Sequence, residues 1–90
     1  MEEFRAIVRG RVQLVMFRDF TQRKGSGLGL VGTVRNLPDG TVEVIAQGER
    51  ATLEQLIAKL HKGSLLSRVD AVEVVWHEPS MRFDRFRIVY

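Results

Sequence analysis

The sequence predicts an α+β domain, with two helices on one face of an antiparallel sheet. The element order is β-α-β-β-α-β, closed by a short final strand. Three observations predict it. Short runs of alternating apolar and polar residues are interleaved with segments of helical character. Glycines and prolines punctuate these segments. The chain has 90 residues, 44% hydrophobic and 28% charged, which suits one soluble core and is too short for two.

Each element has its own signal. Over 4–11, Phe4, Ala6 and Val8 fall on one face and Arg5, Ile7 and Arg9 on the other, a strand with one buried side. Residues 18–26 read as a helix anchored by Phe17 and Phe20, with Gly25 near its end. Residues 30–36 and 41–47 read as strands. Pro38-Asp39-Gly40 turns the chain between them into a hairpin, because proline presets φ and glycine accepts φ > 0. Leu53, Leu56, Ile57 and Leu60 keep the i, i+3, i+4, i+7 spacing of one helical face. Thr52 and Gln55 are placed for a capping box at its start, and Gly63 for its end. A strand over 69–77, a turn at Pro79 and a last strand over 83–89 complete the chain, with Phe83 and Phe86 packing at the core and edge. This is the split β-α-β, or ferredoxin-like, plan, here a single domain over 1–90. The plan hosts many activities and selects none.

Composition narrows the chemistry. There is no cysteine, which excludes disulfides, a thiolate metal site and a cysteine nucleophile, and fits a reducing compartment. Glu2, Glu3 and Arg5 interrupt the N-terminus, so no signal peptide is read there, and no apolar run reaches the ~20 residues of a membrane span. A cytoplasmic, monomeric protein with no membrane partner is expected. The net charge of +3 suits an anionic ligand or simply solubility. Its make-up is more telling: 11 of the 14 cations are arginine, whose planar fork grips oxyanions. His61 and His77 are far apart and no carboxylate cluster accompanies them, so no metal and no cofactor are expected. Gly25-Ser26-Gly27-Leu28-Gly29 follows a helix and lacks a Lys-Ser/Thr ending, so it reads as a helix terminator and turn, not a nucleotide loop.

The segment joining the first strand to the first helix is the candidate site. A loop entering a helix points unpaired N–H groups at one spot, the helix dipole adds positive charge, and an arginine there can grip the same anion. Asp19, in the first helical turn, reads as a dipole partner and not an acid catalyst, since a carboxylate beside a phosphate repels it.

Here Gly10-Arg11-Val12-Gln13, followed by Val15 and Phe17-Arg18, resembles the acylphosphatase signature G-x-V-Q-G-V-x-F-R. A second block is similar to the family's L-G-L-x-G-x-V-x-N…D-G-x-V-E. It runs from Leu28 through Gly32 to Asn36, followed by Asp39-Gly40-Thr41-Val42-Glu43. Gln47-Gly48 and Arg68-Val69 also match. The resemblance implies hydrolysis of acyl phosphates, mixed carboxylic–phosphoric anhydrides, to a carboxylate and inorganic phosphate without a metal. It implies that Arg18 binds the phosphate, that Asn36 orients the attacking water, and that the backbone N–H groups of Val12, Gln13, Leu14, Val15, Met16, Phe17 and Arg18 form the cradle. It also implies that the substrate's own phosphate takes the water's proton.

One position departs from the signature: Leu14 stands where the family has glycine. If the loop needs a left-handed residue there, leucine costs roughly 1–2 kcal/mol; otherwise the loop relaxes and loses a donor. Two alternatives follow. One is a catalytically impaired phosphate- or acyl-phosphate-binding domain, favoured by Leu14. The other is an RNA-binding module of the same plan. The exposed positions of the first and third strands offer Arg, Ile, Val and Glu but no aromatic stacking run, so specific nucleic-acid recognition is not expected. Arg5, Arg9, Arg85 and Arg87 read as solvated charge on the open face.

Overall fold

A computed structural model describes all residues 1–90. The elements are β1 (Glu2–Arg11), α1 (Phe17–Gly27), β2 (Val31–Asn36), β3 (Val42–Gly48), α2 (Arg50–Lys62), β4 (Arg68–His77) and β5 (Phe86–Val89). The strands form one sheet in the order β4-β1-β3-β2-β5. Three pairings are antiparallel, but β5 joins β2 in parallel, so the sheet is mixed.

The alternation read along β1 and β3 decides which face is buried. Phe4, Ala6 and Val8 lie opposite Ala46, Val44 and Val42, and all six are fully buried. Leu53, Leu56 and Leu60 of α2 and Phe17 of α1 close over them in one core cluster of 15 residues. Gly25 has a packing role within α1: a Cβ there would stand 2.5 Å from the ring of Phe86. Only glycine lets α1 settle this close to β5. Gly29, at φ +74°, makes the turn after the helix.

Three further sequence expectations are corrected. The helix α2 starts at Arg50 with Glu49 as its cap residue and no side-chain cap bond, so Thr52 lies inside the first turn and the capping box does not form. Arg50 instead pairs with Glu2 at 3.0 Å and lies 3.6 Å above the Trp76 ring, tertiary contacts that extend the helix. The last strand begins at Phe86, not at residue 83. Residues 78–85 are a strap from one sheet edge to the other, held by Gln47, which donates to Met81 O and accepts from the Phe83 N–H. Finally, the open-face arginines of β1 are paired. Arg5 and Arg35 clasp the buried Glu43 at 2.7 and 2.8 Å, and Arg9 meets Glu73 at 3.2 Å.

Candidate active site

The site begins at a kink. Register shifts between Arg9 and Gly10, where β1 bulges against β4. Gly10 has φ +131°, and a Cβ there would collide with the backbone carbonyl of Arg68. The bulge sends the chain off the sheet and into residues 12–16. Val12 and Val15 turn into the core, while Leu14 and Met16 point outward.

Two of these residues have left-handed backbone: Leu14 at φ 61° and Met16 at φ 63°. The loop therefore keeps the shape that a glycine would ease, at a cost of roughly 1–2 kcal/mol for each non-glycine residue. A backbone that alternates hand turns its N–H groups to one concave side, a ready anion site. No N–H of residues 12–16 donates to a protein acceptor. The first bond of α1 is Phe20 N–H to Met16 O, and no side chain caps the helix. The N–H groups at the start of the helix thus extend the same donor set.

The cavity above this loop has a volume of about 380 Å³ and brings together Arg18, Asn36, Val12, Leu14, Met16 and Tyr90 among its walls. The guanidinium of Arg18 lies 4.8 Å from the centre of the Tyr90 ring and forms no ion pair with a carboxylate. Its nearest acidic neighbour in sequence, Asp19, is bound to Arg23 at 2.9 Å. Asn36 Oδ1 is buried and has no protein partner. Buried acceptors are almost always paired, so this carboxamide is uncommitted in a way few core amides are.

Gln13 and Val15 do not line the cavity. The Gln13 side chain turns back to the β2–β3 hairpin and donates from Nε2 to Leu37 O at 2.8 Å and Thr41 O at 2.9 Å. This fixes the loop that carries the N–H groups to the turn that follows Asn36. The turn is itself closed by Asp39, which accepts from the Thr41 hydroxyl at 2.6 Å and N–H at 3.1 Å. These bonds hold its carboxyl below the usual carboxylate range. The signature motif gives the Gln13 side chain no role and does not reach Ile88 or Tyr90, which also line the cavity. The period-2 alternation Phe86, Ile88, Tyr90 would have put both on the face that covers α1 and the cavity.

No group of three or more His, Cys, Asp or Glu residues comes together. His77 lies 3.2 Å from Glu3 on the far side of the sheet, and His61 is exposed at the end of α2.

The model of the Acylphosphatase family matches residues 4–88. The chain belongs to the acylphosphatase family. Its function is that of an acylphosphatase, an acid-anhydride hydrolase acting on small acyl phosphates with inorganic phosphate as a product. It is 49% identical to an acylphosphatase of Methanococcoides burtonii over 90% of this chain and 84% of that protein. It is 52% identical to an acylphosphatase of Thermus thermophilus over 81% of this chain and 83% of that protein. The crystal structure of acylphosphatase from Bacillus subtilis superposes with a TM-score of 0.97 at 38% identity, covering both chains completely.

Proposed function

We propose that this acylphosphatase holds the phosphoryl group in the N–H cradle of residues 12–18, with Arg18 beside it, and that Asn36 aims a water at phosphorus. The observation that carries this reading is the run of N–H groups without protein acceptors, next to an arginine free of carboxylates. Water oxygen forms the new bond to phosphorus as the bond to the acyl oxygen breaks. The electron pair leaves with the carboxylate. The water's proton passes to a phosphate oxygen of the substrate, so no side-chain base is needed. A carboxylate is already a good leaving group, and the protein's task is to hold the phosphoryl oxygens, balance their charge and place the nucleophile in line. A carboxamide suits the last task because it orients water without adding charge.

The test is hydrolysis of an aryl acyl phosphate in excess chelator. Arg18→Ala should lower kcat/KM by about 10²–10³, the loss typical of removing one preorganised charge-stabilising donor. Asn36→Ala should lower kcat while inorganic phosphate still competes as before. Wild-type turnover at background level would refute the mechanism, and loss of activity in chelator would refute its independence from metal.

We further read the chain as one domain over 1–90, monomeric and cytoplasmic, without a specific nucleic-acid partner. A single core cluster, the absence of cysteine and the pairing of Arg5, Arg9 and Arg35 with carboxylates support this reading. No helix is long and apolar enough to cross a membrane.

A further inference from the structure

Eight large apolar side chains are exposed, and five of them, Leu14, Met16, Leu65, Leu66 and Tyr90, stand around the cradle or in the groove beside it. That groove, about 300 Å³, runs between α1 and the turn joining α2 to β4. It shares Met16 and Asp19 with the catalytic cavity, so the two lie side by side. Phe20, Leu65 and Leu66 supply its apolar walls.

The turn that carries the two leucines is held in place. The Ser67 hydroxyl donates to Ser64 O at 2.9 Å and accepts from the Ser64 N–H at 2.8 Å, and the Ser67 N–H returns to Ser64 O at 3.1 Å. The Ser64 hydroxyl donates to Val15 O of the cradle loop at 3.4 Å. Leu65, 98% exposed, therefore sits on a closed turn fastened to the anion site. Exposing two leucines there forgoes burial that either could have gained in the core.

A cradle for an anion beside an apolar groove is complementary to a ligand with an anionic head and an apolar tail. We propose that this groove is the acyl-group subsite, and that the enzyme prefers acyl phosphates with apolar chains of several carbons over acetyl phosphate. This inference rests on the cradle proposed above. Asp19 does not oppose it, because its charge is paired with Arg23.

The experiment compares kcat/KM for acetyl, butanoyl and hexanoyl phosphate, whose leaving carboxylates differ little in acidity, so the series reports contact and not reactivity. Half-covered methylenes in an open groove should each add about twofold, giving roughly 15-fold over the four methylenes from acetyl to hexanoyl. In the double variant Leu65→Ser, Leu66→Ser the hexanoyl-to-acetyl ratio should fall to near one. A wild-type ratio near one, or a wild-type ratio retained by the double variant, overturns the subsite. So does a wild-type dimer in sedimentation that the double variant dissociates, since a second copy then occupies the groove. Inorganic phosphate binding separates the two failures. Phosphate bound without chain discrimination overturns the groove alone, whereas failure to bind phosphate overturns the cradle as well.

Discussion

Leu14 is the residue on which the site's cost is most visible. Its backbone is left-handed, its side chain is 98% exposed, and it gains no packing in return. The strain is the price of keeping the cradle's shape without glycine. Leu14→Gly should therefore raise thermal stability. Relief of roughly 1–2 kcal/mol of strain exceeds the ~0.4–1 kcal/mol that glycine's extra freedom adds to the unfolded chain. The net gain, on the order of 1 kcal/mol or less, appears as a rise in Tm of a few degrees for a domain of this size. A fall in Tm would mean that Leu14 holds the loop in place instead of straining it. Met16 shares the same backbone hand, but its side chain walls both the cavity and the groove.

At the scale of elements, the site depends on fastening a loop to a hairpin. Gln13 does this through two bonds to backbone carbonyls of the β2–β3 turn. Gln13→Ala should cost about 1–3 kcal/mol of stability, the net worth of two hydrogen bonds. It should also lower kcat more than it weakens inhibition by inorganic phosphate, because Asn36 loses its register with the cradle while the cradle keeps its donors. Equal losses in both would place Gln13 in phosphate binding itself. The elements β1 and α2 are largely legible in the sequence, because each buries one face and its period reveals it. Elements fixed by distant partners were not legible. Arg85 extends the alternation of the last strand, yet Gln47 captures the stretch before Phe86 as a strap. Arg50 extends α2 past the expected cap through Glu2 and Trp76. The parallel pairing of β5 with β2 depends on which sheet edge the strap reaches, and strand alternation carries no information about that. At the site, the family resemblance points to Arg18 and Asn36, which the fold brings to one cavity, while the Gln13 latch and the Ser64–Ser67 turn, made by side chains bonding backbone, leave no periodic trace.

Over the whole molecule, the structure sorts a diffuse +3 charge into two populations. On the open face, Arg5, Arg9 and Arg35 are committed to Glu43 and Glu73, so that face offers little free positive charge to a polyanion. On the other side of the fold, Arg18 is left free at the mouth of a loop with unpaired N–H groups. Sheet, bulge and helix converge on this loop, whose backbone donors are proposed to bind the phosphate. Amide NMR during titration with inorganic phosphate tests this proposal most directly. Saturable shifts should concentrate on the N–H signals of residues 12–18 and be lost in Arg18→Ala. Shifts that centre on the arginines of the open sheet, or that never saturate at residues 12–18, would contradict it.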